Sequence, residues 1–572
     1  MRRRDGEVEF DPVQFRLRAR LLSAVLALAA FGLFARAVEL QVLDRQFLAE
    51  QGDMRHARVT KMRAHRGAVL DRFGEPLAVS SPVDSVWVNP PEIAETEDGI
   101  ARLARALQRD RRSLAQRVTS NLDRQFLYVL RHMEPAAAAK LKALGIPGVY
   151  LQREYRRYYP GGEVTGHLLG FTNLDEAGQE GLELAYDPSL AGEDGRKRVI
   201  QDGRGRVVQN VESIRAPRPG EDLHTSIDLR IQYLAYRELK AAVREHRAAS
   251  GSAIVIDVET GEVLAMVNQP SFNPNDRAEY EPRRYRNRGA TDIFEPGSSF
   301  KPFVMAAALA SGRYGPDSTV DARPFRVASK LIQDKHELGT IDLGQVLSRS
   351  SNVAMAKIAL SLEKDQLRGT LAALGFGEVT ASGFPGESAG QLTAVEHWRP
   401  IGIATMSYGY ALSVTPLQLA QAYATIGAGG VRRPVTFRRV QQPVAGQRVL
   451  PERVVRDLIG LLEEAVKPAG TGIKAAVPGY RVAGKTGTSW KSIPGGYSTD
   501  HYFSVFAGVV PATRPRLAVV VMIDDPRGRQ YYGGDVAAPV FAAVVAGALR
   551  LMSVAPDDLE RIAPVTLASA AP

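Results

Sequence analysis

"FEPGSSFKPFVMAAALASG", Phe294 to Gly312, sets two adjacent serines at a turn and carries a lysine into the apolar run behind them. Pro296 and Gly297 end whatever precedes, so Ser298 falls near the first turn of a helix that continues through the alanines. Ser298 and Lys301 are then i and i+3, neighbours on one helix face. An ammonium at that place meets the positive end of the helix dipole, and the apolar run behind it implies burial. Both effects favour the neutral amine. A neutral amine beside a serine can take the hydroxyl proton, which a serine nucleophile requires. The alternative is an exposed lysine at a helix start, where its charge is misplaced. Ser299 is rotated by about 100° from Ser298. Its hydroxyl is expected to satisfy local backbone or solvent.

Ser-x-x-Lys is a weak signal alone. Ordinary composition gives about two chance matches in a chain of this length. A second one exists, Ser361 to Lys364 in "LSLEKDQ", late in a helix-like run and followed by Asp365, with a lysine expected in solvent. Two companions raise the first match. "SRSSNVAMAKIAL" supplies Ser350-Ser351-Asn352 at the head of another apolar helix, and "AGKTGTSW" supplies Lys485-Thr486-Gly487-Thr488 in a strand-like setting. Lys-Thr-Gly is expected by chance only about 0.1 times in such a chain. The competing Ser271-Phe272-Asn273 lies in a proline-rich loop with no helix after it. Ser-x-x-Lys, Ser-x-Asn and Lys-Thr-Gly in this order form the signature of the penicilloyl serine transferases.

Composition bounds the rest. The 572 residues suffice for several domains, and 45% apolar with 24% charged residues is ordinary globular content. There is no cysteine, which excludes disulfides, thiol catalysis and thiolate metal sites. The net charge of +10 comes from arginines scattered among acids, with no basic block interleaved with aromatics beyond the N-terminus. This argues against nucleic-acid binding; an anionic surface or polymer suits the charge equally well.

Six arginines between Arg2 and Arg20 precede "LLSAVLALAAFGLFA", Leu21 to Ala35. That run alone has the length of a signal-peptide core, and "ARA" at Ala35–Ala37 resembles a cleavage site. The helical pattern nevertheless continues to Leu43, long enough to span a bilayer, with Arg36 placed to snorkel. The pattern favours an uncleaved anchor, with the arginines holding the N-terminus in the cytoplasm. Either way the bulk of the chain is exported.

From Asp44 to Gly220 the texture is mixed, with a helical, Arg- and Leu-rich segment expected around Ile100 to Arg131. "RAPRPGED", Arg215 to Asp222, reads as a linker. "IQYLAYRELKAAVREH" is a helix, and "SAIVIDVETGEVLAMV" is a β-hairpin about a Glu-Thr-Gly turn. "HYFSVFAGVV" and "RLAVVVMIDD" repeat that pattern near the far end, before a helix at "APVFAAVVAGALRLM". One sheet assembled from distant parts of a domain is implied.

With these residues in view, the chain resembles the class B penicillin-binding proteins, and among them the septal cell-division peptidoglycan transpeptidases of Gram-negative bacteria. "RGAVLDRFGEPLAVS" (66–80), "RRYYPGGEVTGHLLGFTN" (156–173) and "GQEGLE" (178–183) resemble the family's N-terminal pedestal. "RNRGATDIFEPGSSFKPF", "SYGYALSVTPLQLAQAYATIGAGG" and "YYGGDVAAPVF" resemble its catalytic domain. The resemblance implies a multidomain chain. Residues 1–43 would be a cytoplasmic tail and single transmembrane helix, and 44–220 a mixed α+β pedestal for dimerisation or partners. Residues 221–555 would be an α/β transpeptidase domain with an antiparallel sheet flanked by helices, and 556–572 a flexible tail. It implies a single-pass inner-membrane protein with its catalytic domain in the periplasm.

The resemblance also implies roles. Ser298 is similar to the nucleophile that attacks the D-Ala-D-Ala carbonyl of a stem peptide, and Lys301 to its general base. Ser350 relays a proton to the departing D-alanine, and Asn352 orients lysine and substrate amide. Lys485 supplies positive charge, Thr486 and Thr488 hold the substrate carboxylate around Gly487, and the N–H groups of Ser298 and Thr488 form the oxyanion hole. Tyr410, Tyr502, Tyr531 and Tyr532 match aromatic positions around the cleft. The segment between Thr488 and His501, "SWKSIPGGYSTD", departs from the basic stretch expected there. Partners implied are peptidoglycan stem peptides, a membrane-embedded glycan polymerase and other membrane proteins of the division machinery, with β-lactams as covalent inhibitors.

Other functions share the signature. A D,D-carboxypeptidase differs in using water as acceptor. A β-lactamase needs an efficient deacylating carboxylate, and a membrane β-lactam sensor needs several spans. No cofactor or metal is expected, since the nine histidines form no pair at helical ligand spacing. His501, next to Tyr502, either lines the cleft or is a packed or solvated histidine.

Overall fold

Pro12–Val38 forms one helix, α1, apolar on all sides through Leu21–Ala35, and a π-helical turn carries it on to Leu43. A helix with no polar face has no soluble core to face away from. Its segment Arg16–Val42 has mean hydropathy 2.1 and nothing packed on it, and it is long enough to cross a bilayer. The computed structural model describes residues 12–43, 57–201, 207–276 and 281–558. The expected tail beyond Pro556 lies outside them from residue 559 onward, as does the segment before Pro12.

Beyond the anchor, contacts divide the chain into two units, and the division interleaves along the sequence. The first comprises Met1–Ala64, Val83–Glu154 and Glu193–Arg218. In it, the strand Leu127–Met133 pairs antiparallel with the end of Pro76–Val88, and two helices, Gly99–Ala106 and Arg111–Thr119, cover one face. Val86, Val88, Leu103, Leu114 and Val118 form the core. The helical segment expected over Ile100 to Arg131 therefore ends early. "LYVLRHM" is a strand because it pairs with the end of Pro76–Val88, which buries Val129. Behind it, Glu154 is buried and accepts hydrogen bonds from Ser85, Tyr128 (2.9 Å) and Arg131 (3.1 Å).

The second unit comprises His65–Pro82, Tyr155–Gly192 and Pro219–Pro572. The three pedestal-like motifs meet within it through one carboxylate. Glu183 accepts from Arg66 at 2.8 Å and from Arg157 at 2.6 Å, all three side chains being at most 2% exposed. Arg66 also reaches Asp187 at 2.6 Å.

The same unit carries the five-stranded antiparallel sheet anticipated from both ends of the domain. Its strands are β1 (Ser250–Asp257), β2 (Val263–Gln269), β3 (Ala483–Ile493), β4 (Gly496–Val510) and β5 (Leu517–Asp524), in the order β2-β1-β5-β4-β3. Every residue of β1 is buried, as expected of a strand covered on both faces. One face packs against α2 (Leu229–Glu245) and α6 (Ala538–Leu551), through Ile231, Leu239, Phe541 and Val545. The other face supports α3 (Lys301–Ala310), α4 (Asn352–Ser361) and α5 (Pro416–Gly427). β3 forms one edge of the sheet.

Candidate active site

Three elements converge on Ser298. A 3-10 turn, Gly297–Phe300, leads into α3, whose first residue is Lys301. In a 3-10 turn residues i and i+3 eclipse, so the expected common face of Ser298 and Lys301 is retained. Gly297 has φ +54°, the left-handed region, and permits the sharp entry. Gly487 of β3 lies against this turn. A Cβ there would fall 2.6 Å from the Pro296 carbonyl oxygen, so only glycine lets the strand approach the serine. Ser299 is fully buried and donates to the Pro296 carbonyl at 2.7 Å, turned into the protein as expected.

The third element is the start of α4. Ser350 occupies the left-handed region at φ +62°, which is costly for a residue with a Cβ and turns its hydroxyl into the cleft. Ser350 Oγ lies 2.9 Å from Ser298 Oγ. Lys301 Nζ lies 2.5 Å from the Ser350 carbonyl oxygen, 2.7 Å from Asn352 Oδ1 and 3.1 Å from Ser350 Oγ. The lysine is wholly buried. Burial pushes its proton affinity well below the ordinary lysine range, neighbouring Lys485 lowers it further, and Asp334 opposes both. Lys485 is equally buried and is pushed down to about 7 by that burial. It donates to the Thr486 carbonyl and hydroxyl, both at 3.2 Å, and Thr486 Oγ1 in turn meets Thr471 Oγ1 at 2.9 Å. Thr488 Oγ1 accepts from the Gly533 N–H at 2.9 Å.

Cavities open on both sides of Ser298. One, of about 690 Å³, is lined by Tyr410, Tyr502, Tyr531 and Tyr532, and also by Trp490 and Tyr497. The other, of about 830 Å³, has Thr471, Thr486, Lys335 and Lys474 in its walls. Ser298, Asn352, Thr488 and Tyr532 line both. Tyr502 and Tyr531 stack at 4.2 Å, and the Tyr531 hydroxyl reaches that of Tyr532 at 3.1 Å.

The departing segment 489–501 is a hairpin that continues β3 into β4. Glu295, three residues before the nucleophile, ties it down. The carboxylate accepts from Tyr497 OH at 3.0 Å and from Ala411 N–H at 2.8 Å, and its carbonyl accepts from Ser489 Oγ at 2.6 Å. Tyr410 OH accepts from Trp490 N–H at 3.1 Å. Asp334 lies outside every motif, and Glu295, although inside "FEPGSSFKPF", acts on residues distant in sequence that the motif does not reveal. His501 packs beside the cleft, with Nδ1 2.7 Å from Asp525. The competing Ser361 and Lys364 part company. The serine closes α4, while the exposed lysine donates to the Trp398 carbonyl at 3.0 Å.

This arrangement, a serine at a helix start with two buried lysines on one polar cluster, has the groups that serine acyl transfer requires. The chain belongs to the class B penicillin-binding proteins: residues 251–546 match the penicillin binding protein transpeptidase domain and 61–225 the penicillin-binding protein dimerisation domain. Among its relatives, the peptidoglycan D,D-transpeptidase FtsI of Escherichia coli K12 is 43% identical over 547 residues, covering 95% of this chain and 93% of that protein. The probable peptidoglycan D,D-transpeptidase PbpC of Pseudomonas aeruginosa is 40% identical over 94% of this chain and 96% of its own length. A solved transpeptidase domain of penicillin-binding protein 3 from Burkholderia pseudomallei, 41% identical, superposes with TM-score 0.54 over 58% of this chain and 97% of that one. A peptidoglycan synthetase from Bifidobacterium adolescentis, 24% identical, shares the fold over 87% of this chain and 97% of its own, with TM-score 0.70.

Proposed function

We propose that the protein is a septal peptidoglycan D,D-transpeptidase, acting on D-Ala-D-Ala stem peptides through an acyl-enzyme on Ser298. The observation that carries this reading is the contact set of Lys301. A neutral amine has two N–H donors and one lone pair. The Ser350 carbonyl and Asn352 Oδ1 can only accept, so they take both donors. At rest Lys301 Nζ donates to Ser350 Oγ and Ser350 Oγ–H donates to Ser298 Oγ. In the neutral amine the lone pair is left to receive the Ser350 proton while Ser350 Oγ takes that of Ser298.

As Ser298 Oγ bonds to the penultimate D-alanine carbonyl carbon, its proton passes to Ser350 while the Ser350 proton passes to Lys301. The N–H groups of Ser298 and Thr488 receive the oxyanion. Collapse breaks the C–N bond, and the proton returns through Ser350 to the departing D-alanine amine. The terminal carboxylate rests on Thr486 and Thr488 near Lys485. An acceptor amine then attacks the ester by the reverse path. A β-lactam follows the first half alone, its own amide opening on Ser298. The reading places the N-terminus in the cytoplasm and the catalytic unit in the periplasm. It assigns glycan polymerisation to a membrane-embedded partner of the division machinery.

Mass spectrometry after penicillin exposure tests the acyl step: the adduct is expected on the peptide carrying Ser298, and an adduct elsewhere overturns the assignment. With polymerised pentapeptide strands, cross-linked dimers are expected together with released D-alanine. Release without dimers would make the protein a D,D-carboxypeptidase.

A further inference from the structure

We propose that Asp334 is a positioning residue of the acylation step, holding Ser350 and Asn352 in place and setting a carboxylate charge beside buried Lys301. The inference rests on the functional reading above.

Asp334 lies between the short strands Lys330–Ile332 and Thr340–Asp342, outside every motif. Its Oδ1 accepts from the N–H of Asn352 at 2.5 Å and of Val353 at 3.3 Å, and its Oδ2 from Ser351 Oγ at 2.5 Å. Ser351 Oγ accepts in turn from Ala354 N–H at 3.0 Å. The first N–H groups of α4 are therefore satisfied by a carboxylate from a distant segment as well as by the helix's own cap. This matters because the residue before them, Ser350, sits in the left-handed region and needs its neighbours held. Ser350 and Asn352 together make all three polar contacts of Lys301.

Charge makes the second half of the argument. Two wholly buried lysines share this site, and the acid that favours the protonated form of Lys301 is Asp334. The cavity wall it shares also carries Lys335, which sits 5.4 Å over the Tyr532 ring, together with His336 and Arg349. Lys474 is there too, paired with Asp535 at 2.8 Å. Asp334 thus shares a cavity wall with several cations, and the proton taken from Ser298 is received by Lys301, whose protonated form this carboxylate favours.

The test is the pH profile of acylation of the full-length protein by benzylpenicillin, between pH 5 and 9. Asp334→Asn keeps an acceptor for the helix N–H groups but removes the charge. Its acid limb is expected about one unit lower, because a nearby opposite charge shifts a titration by roughly that much, and its plateau rate about tenfold lower. Asp334→Ser removes the charge in a second way, should the amide variant fold poorly. Ser351→Ala loses one bond to Asp334 but keeps the charge, so its plateau falls while its limb stays. An unmoved acid limb in both charge-removing variants, or a Ser351→Ala limb that moves equally, overturns the proposal and leaves Asp334 a helix cap. Wild-type protein that fails to acylate at Ser298 would instead refute the functional reading.

Discussion

The group in hydrogen-bond contact with Ser298 Oγ is the hydroxyl of Ser350, at 2.9 Å. The i, i+3 relation that makes Lys301 a plausible base from the sequence does not by itself deliver a contact between them. In the structure the lysine reaches the nucleophile through a serine 52 positions away in the chain. Ser350→Ala should therefore lower acylation by a fluorescent penicillin as severely as Lys301→Arg, by about 100-fold or more. A Ser350→Ala variant that labels near the wild-type rate would mean that Lys301 takes the proton directly.

The two adjacent serines separate cleanly. Ser298→Ala should abolish labelling with the fold intact. Ser299→Ala loses one buried hydrogen bond, to the Pro296 carbonyl, and should keep most labelling at a cost of about 1 kcal/mol in stability. Ser299→Thr should fare worse, since an added methyl has no room beside Gly487. Labelling and thermal midpoints of the three variants decide the matter.

Lys485 carries a stability cost that depends on pH. Its folded-state proton affinity is lowered to about 7 from an ordinary 10.5, so between those values the unfolded state binds more protons and stability rises with pH. Lys485→Met should abolish labelling yet raise stability at pH 7 by on the order of 1–4 kcal/mol. The gain should shrink toward pH 10. Denaturant unfolding at both pH values checks the sign, and a gain that grows with pH contradicts it.

Glu183 joins Arg66 and Arg157 in a dry network. Glu183→Gln leaves the buried Arg157 without its anion and Arg66 with Asp187 alone, and should cost about 3–5 kcal/mol. The catalytic motifs contribute nothing to this network, so acylation per folded molecule should be retained. Thermal unfolding and active-site titration of the same sample separate the two quantities.

Glu295 is held above the ordinary carboxylate range by burial, and it anchors the hairpin through Tyr497. Tyr497→Phe keeps the ring and removes that bond. Amide hydrogens of residues 489–500 should then exchange about three- to tenfold faster, corresponding to about 1 kcal/mol. Unchanged exchange would show that the ring contacts with Tyr410 hold the hairpin instead.

What the sequence determined by itself was local. The nucleophile turn, the lysine one turn later, the apolar anchor and the two hairpins each depend on residues within about fifteen positions of one another, where period, turn chemistry and capping operate. "FEPGSSFKPF" states its chemistry because an apolar helix start must place Ser298 and Lys301 on one face and bury the lysine. Tertiary structure alone decided what surrounds that pair. Asp334 reaches the α4 N-terminus from 18 residues away, and Glu295 meets Tyr497 across 202. Arg66 finds Glu183 across 117. No periodicity or motif reveals the partners of such acids, because a carboxylate in a loop reads as a solvated turn until folding brings donors to it. The segment Leu127–Met133 shows the same limit at the level of an element. Its helix-compatible composition became strand because the partner it pairs with, at the end of Pro76–Val88, lies some forty residues upstream, where local propensity has no reach.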